Sequence, residues 1–201
     1  MTMQQTDGAV RPAGRPRSEK AEKAIIEAAL DILGEGSGVS ELSIEAIAAR
    51  AGVGKTTIYR RWSNKEDLVV DALASLKPPI APLKGESVRD DLVAYLQVVQ
   101  SESSHVRTRC IMNIAMSQSD RHPRVAERFH EIAIKPRQEM LSAVLERGMA
   151  NGELRADLDV PMAMAILSGT MMWRTKWADD TLPADLAEQI VDEVLRGFRP
   201  R

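Results

Sequence analysis

One cysteine, Cys110, stands among 201 residues. A lone thiol excludes an internal disulfide and any zinc site built from several cysteines. Aromatic residues make up only 3% of the chain. That argues against a platform that stacks single-stranded nucleic acid on aromatic rings. No stretch approaches the roughly 18 apolar residues of a membrane span. The apolar run around Met162 to Trp173 is too short and is interrupted by Ser168, Gly169 and Thr170. The opening MTMQQTDGAVRPAGRPR contains no apolar signal segment, so a cytoplasmic protein with no membrane partner is expected. His105, His122 and His130 are dispersed among charges, and neither HExxH nor GxSxG occurs. Catalytic residues, metal ligands and a cofactor are therefore not expected.

The remainder has an ordinary soluble composition, with 44% hydrophobic and 28% charged residues, enough to bury a real core. At about 150 residues per domain, the length corresponds to between one and two domains. The net charge of −2 conceals a segregation of signs. Arg50, Lys55, Arg60, Arg61 and Lys65 follow one another with no acid between them, as do Arg11, Arg15 and Arg17. Two basic clusters on a near-neutral chain suggest a polyanion footprint, against the alternative of two solvated faces.

Every periodic segment is helical, and no alternating strand pattern or repeat is found. Residues 1–17 carry Pro12, Gly14 and Pro16 without an apolar period and read as a flexible basic arm. Ser18 opens a helix whose apolar face runs from Ala21 through Ile25, Ala28, Ala29 and Ile32 to Leu33, ended by Gly34, Gly36 and Gly38. Ser43 is a good N-cap for a short helix burying Ile44, Ile47 and Ala48, with Leu42 and Ile47 at hydrophobic-staple spacing. Gly52 breaks it. A second short helix begins near Gly54 and turns Ile58 inward. Ser63 and Glu66 suggest a capping box for a further helix through Leu68, Val69, Ala72, Leu73 and Leu76. Lys77 to Pro82 then marks a boundary, so 18–77 and 83–201 are expected as two helical units. In the second unit, 104–117 reads as a central buried helix. Pro136 predicts a kink near Ile134 within 123–150. Two more helices, 159–177 and 181–198, close the chain.

Two short helices joined by a glycine-containing turn form a helix-turn-helix, whose second helix would enter a major groove. Lys55, Thr56 and Thr57 lie where a recognition helix reaches base edges. Ser43, Tyr59, Arg60 and Lys65 have the chemistry to hold phosphates, and Arg15 and Arg17 extend the basic surface. Trp62 is assigned to the core between the flanking helices.

The segment Leu42 to Leu73, with GRPR at Gly14 to Arg17, resembles the DNA-binding domain of the TetR family of bacterial repressors. Ala48, Ala49, Gly52, Val53, Thr57, Ile58, Tyr59, Lys65 and Leu68 carry the likeness, and Trp62 replaces the family's commoner Phe. The resemblance implies an all-α protein. An N-terminal three-helix DNA-binding domain would be followed by a helical ligand-binding and dimerisation domain. It also implies a homodimer that represses transcription from a palindromic or near-palindromic duplex operator and is released by a small-molecule effector.

For that second domain, Ala187, Ile190, Val191, Val194, Leu195 and Phe198 form one apolar stripe, expected at a symmetric four-helix interface. Methionines crowd the region; they fill cores, and they also form adaptable binding surfaces. A cavity lined by Tyr95, Met112, Met116, Met171 and Trp173 is expected to take an effector, mostly apolar in character. Two rivals stand beside this reading. Ala49 to Thr56 meets a relaxed phosphate-loop pattern, and a nucleotide-using enzyme would need a buried strand just before it. A DNA-binding regulator that senses no ligand would have a packed second domain.

Overall fold

The computed structural model describes residues 15–36, 38–177 and 182–198, with side chains from Glu19 onward. Helix α1 spans Arg15–Gly34. It begins three residues before Ser18, so Arg15 and Arg17 belong to its first turn, and the rest of the expected arm lies outside the described residues. Helices α2 (Ile44–Ala51) and α3 (Lys55–Tyr59) are short and sharply bounded. The Ser43 side chain accepts from the Ala46 N–H at 3.1 Å, satisfying one donor of the open first turn. Gly52 ends α2 at φ 65°, a left-handed conformation that a residue without Cβ adopts freely. Ile58 is fully buried beneath α3. Helix α4 (Lys65–Ser75) is capped by Asn64, whose Oδ1 accepts from Asp67 N–H at 2.9 Å. The expected Ser63–Glu66 box is not formed, because the helical ladder starts at Lys65 and puts Asn64, an equally good capping residue, in the N-cap position.

Helices α5 (Val88–Ser104), α6 (Val106–Ser117), α7 (Pro123–Phe129), α8 (Lys135–Ala150), α9 (Val160–Trp177) and α10 (Leu186–Phe198) follow. The break expected at Pro136 is a π-helical turn over His130–Ile134 between α7 and α8. Proline supplies no N–H and crowds the preceding turn, and a widened turn absorbs both defects. Helix α6 is not the central buried helix expected. Only Ile111 is buried, while Val106, Cys110 and Met116 are exposed. Its apolar residues point to several sides between Arg107, Arg109, Asn113 and Ser117, so no single neighbour could cover them.

Two apolar cores result. The first joins α1–α4 to Ile111 of α6, Val125 and Phe129 of α7, and Ala133. The second is built by α5, α8, α9 and α10. The first core thus reaches past Lys77: α7 packs along α4, and α6 along α1. Polar contacts reinforce this joint. Gln118 Oε1 accepts from Val39 N–H at 2.9 Å, and Ser40 Oγ lies 2.9 Å from His122 Nε2.

The stretch between α4 and α5 is fastened at both ends. Arg137 holds Glu102 through both terminal guanidinium nitrogens, at 3.0 and 2.5 Å, and also donates to the Pro78 carbonyl. Lys77 reaches the same carboxylate at 2.9 Å. At the other end Asp91 accepts from Gly85 N–H and pairs with Arg147 at 2.7 Å. Asp91 with Arg147 and Glu102 with Arg137 set α5 and α8 antiparallel.

Candidate nucleic-acid interface

Helices α2 and α3 present the expected side chains to solvent. Lys55, Thr56, Tyr59 and Arg60 are exposed, Thr57 is half-buried and Ser43 is partly covered while capping α2. Short helices hold these positions because their inner faces are spent in the first core, through Ile47, Ala48 and Ile58. Trp62 is buried as expected, and its indole N–H donates to Asp71 at 2.8 Å. This ties the residues after α3 to the middle of α4. Arg15 and Arg17 lie on α1, without described side chains.

The acid-free run of cations is not acid-free in space. Arg50 forms a two-pronged pair with Glu35 at 2.6 and 3.1 Å. Arg61 approaches Glu22 at 3.5 Å. Lys55 Nζ lies 2.8 Å from Glu45 Oε1. That hydrogen bond, aided by charge attraction, raises the Lys55 pKa and lowers that of Glu45. Lys65 donates to the Ser40 carbonyl at 3.0 Å, and among the described residues no acid forms an ion pair with it. Arg60 has no ion-pair partner among the described residues. The segment Ala49 to Thr56 is helix, left-handed glycine and helix start, with helix α2 where a phosphate loop needs a strand. The segment therefore lacks the strand-to-helix setting of a phosphate loop. Among the described residues no group of three or more His, Cys, Asp or Glu is placed to hold a metal ion.

In the second half, the five residues expected around a cavity lie in different surroundings. Tyr95 and Met171 are buried in the second core. Met112 packs partly buried against the first core. Met116 and Trp173 are exposed at 60% and 65%. A cleft of about 350 Å³ lies instead between α5 and the 80–86 stretch, bordered by Ile80, Leu83, Lys84, Asp90, Ala94 and Val98. It touches none of the five.

The stripe expected at a dimer seam is also spent internally. Ala187, Ile190, Val191, Leu195 and Phe198 are buried and Val194 partly so, covered by α5 and α9. A single apolar stripe on an otherwise polar helix is what packing on one's own core requires. Among the described residues, exposed large apolar side chains are most concentrated on α9, where Met162, Ile166, Met172, Trp173 and Trp177 are all exposed. The Trp173 and Trp177 rings lie 5.9 Å apart. Met162, Ile166, Trp173 and Trp177 share one face of a helix that is apolar nearly all round, and such a helix needs cover on both sides. That all-round pattern was the available signal.

Comparison with known proteins is consistent with this architecture. Residues 25–72 match bacterial regulatory proteins of the tetR family, and residues 83–194 match the tetracyclin repressor-like C-terminal domain. The chain belongs to the TetR family. The HTH-type transcriptional regulator YdeS of Bacillus subtilis (strain 168), itself uncharacterized, is 31% identical over 188 residues, covering 92% of this chain and 93% of the relative. The fatty acid metabolism regulator protein of the same organism is 25% identical over 154 residues, covering 73% of this chain and 77% of that protein. Among solved structures, FadR from Bacillus subtilis in complex with stearoyl-CoA superposes with a TM-score of 0.70 at 21% identity, covering 88% of this chain and 99% of that one. The flavonoid-responsive regulator FrrA gives 0.67 at 23%, with 91% and 99% covered. This TetR-family chain is a helix-turn-helix, DNA-binding transcriptional regulator. Among its described residues no helix is long and apolar enough to cross a membrane.

Proposed function

We propose that this regulator is a cytoplasmic homodimeric repressor without enzymatic activity. Two copies of α3 enter major grooves of a palindromic or near-palindromic duplex, and a small, mostly apolar ligand releases it. Residues 18–77 do the reading, and 83–201 supply the dimer seam and the effector response. The observation that carries the dimer is the α9 face of Met162, Ile166, Trp173 and Trp177, too large and too apolar to face water in a finished protein. A second copy of the same face covers it and sets two reading helices apart by a fixed distance. Lys55 and Thr56 reach base edges; Tyr59, Arg60, Lys65 and Ser43 hold the backbone.

The ligand class rests on the relatives. A complex with stearoyl-CoA and a flavonoid-responsive regulator share this fold, and both ligand types have large apolar parts. Release requires the ligand to favour the DNA-incompetent arrangement, with a coupling of about 1–3 kcal/mol. The burial of Tyr95 and Met171 in the second core, with Met116 and Trp173 exposed, favours a second reading, a regulator that responds to no ligand. Binding-site selection from random duplexes tests the DNA half, and sedimentation of the complex tests the dimer. Titrating the selected complex with stearoyl-CoA and with a flavonoid separates the two readings. Release by either supports the first; retention under both supports the second. Selection of a sequence without two-fold symmetry overturns the dimeric repressor.

A further inference from the structure

Lys55 is the first residue of α3, and Glu45 lies in the first turn of α2. Their side chains are 54% and 64% exposed and meet at 2.8 Å on the surface assigned to the major groove. On an ordinary surface such a pair is a solvated contact of little consequence. Here it sets an ammonium donor beside a carboxylate acceptor where base edges would stand.

The major-groove edge of a G·C pair offers the complementary arrangement. Guanine presents O6 and N7 as acceptors, and cytosine presents the N4 amino group as a donor. Guanine O6 and cytosine N4 are joined by a Watson–Crick hydrogen bond, so they lie roughly 2.9 Å apart. The protein's donor and acceptor have nearly the same spacing. We propose that Glu45 and Lys55 read one G·C base pair in each half-site as a unit, Lys55 donating to guanine and Glu45 accepting from the cytosine N4–H. This rests on the reading that α3 enters the major groove. A C·G pair in the same place sets ammonium against amino group and carboxylate against carbonyl oxygen. An A·T pair exchanges donor and acceptor in the same way, and a T·A pair keeps their order but sets the thymine methyl where guanine N7 would receive the ammonium.

The carboxylate has a second consequence. It neutralises Lys55 in the free protein, so this lysine adds little to sequence-independent attraction to phosphates. Removing Glu45 releases a cation at the interface. Specific and non-specific binding should then move in opposite directions, which loss of a merely structural contact would not produce.

The test uses the full chain and duplexes selected from a random pool. The wild type should require G·C at one position of each half-site. Glu45→Ala and Lys55→Ala should both lose that preference and keep the others, with unchanged thermal melting because both side chains are exposed. N4-methylcytosine at that position removes the groove-facing donor. It should weaken the wild type on the order of tenfold and leave Glu45→Ala unaffected. Glu45→Ala should also bind random duplex more tightly, with a salt slope steeper by about 0.9 per protomer. Full retention of the G·C preference by Glu45→Ala overturns the proposal, as does an equal methylation penalty in both proteins. Failure of the wild type to select any sequence overturns groove reading itself, a separate result.

Discussion

The two halves of the molecule distribute charge in opposite ways. Around α1–α4 the core is uniformly apolar, and the cations and their acids lie outside it. Around α5 and α8–α10, Asp91, Arg137 and Thr175 are buried, while five large apolar side chains of α9 face outward. The first arrangement suits a surface that meets a polyanion with its charges accessible. The second suits the proposed dimer, in which a second copy covers α9 while the buried charges hold the protomer's own helices in register. A buried ion pair adds little net stability over an apolar replacement, yet losing one member leaves a costly unpaired charge. The Asp91–Arg147 and Glu102–Arg137 pairs therefore serve mainly to fix how α5, α8 and the intervening stretch sit together.

The sharpest way to break this contrast is to exchange what the two faces of the terminal helices do. Ile190→Glu places a charge in the apolar second core. The expected result is loss of the fold, seen as loss of cooperative unfolding by circular dichroism. Met162→Lys with Trp173→Lys changes only exposed positions. That double variant should stay helical and unfold cooperatively while sedimenting as a monomer. A folded dimer carrying both lysines would remove α9 from the interface.

The buried ion pairs come next. Glu102→Leu strands Arg137 and Lys77 together in a site where the pair's side chains are 8% and 9% exposed. Urea unfolding should show a loss of about 3–5 kcal/mol. Arg196→Ala breaks a pair whose members are each 72% exposed, and its effect should stay within about 0.5 kcal/mol. Equal effects would mean that burial does not separate these two classes of contact.

Two glycines sharpen the comparison at smaller cost. A Cβ on Gly148 would stand 2.5 Å from Val88 Cγ2 and 2.8 Å from Leu154 Cδ1. Overpacking of this kind costs about 1–3 kcal/mol, partly offset by about 1 kcal/mol of helix propensity, so Gly148→Ala should be a net loss. A Cβ on Gly38 would collide with the Gln118 side-chain amide. Gln118 can swing away, but Val39 N–H then loses its acceptor, at about 1 kcal/mol. Faster hydrogen exchange at Val39 in Gly38→Ala would mark that contact as the joint between the first core and α6.

The same asymmetry explains what could be read from the sequence. Ser43, Gly52, Ile58 and Trp62 act within a few residues of themselves, so the cap, the helix end and the burial were all legible from local spacing. The π turn at His130–Ile134 was visible only as a break, because Pro136 states that the ladder fails without saying how it is repaired. The second half was read least well. Ile190 and Val194 sit on an amphipathic stripe that is the same whether its cover is α5 or another copy. Met112, Met116 and Trp173 look alike in a sequence, and only the packing of α6 and α9 separates the buried from the exposed. The pairing of Glu35, Glu22 and Glu45 with the basic run was invisible for the same reason: the partners are 15, 39 and 10 residues away from Arg50, Arg61 and Lys55.

The smallest expected effect concerns Lys65, which separates a charge that is free from one that is spent. Its ammonium rests on the Ser40 carbonyl at 3.0 Å, and no acid among the described residues pairs with it. The charge is therefore available to a phosphate, unlike that of Lys55. Lys65→Ala should weaken all duplexes alike and leave every base preference unchanged. Each lost phosphate contact lowers the slope of log affinity against log salt by about 0.9, so a dimer should lose about 2. The Ser40 loop is also held by His122 on the other side, so losing one tether should leave it in place. An unchanged salt slope would assign Lys65 to that tether alone. The sequence-independent attraction would then fall to Arg60, Tyr59 and the two arginines at the start of α1.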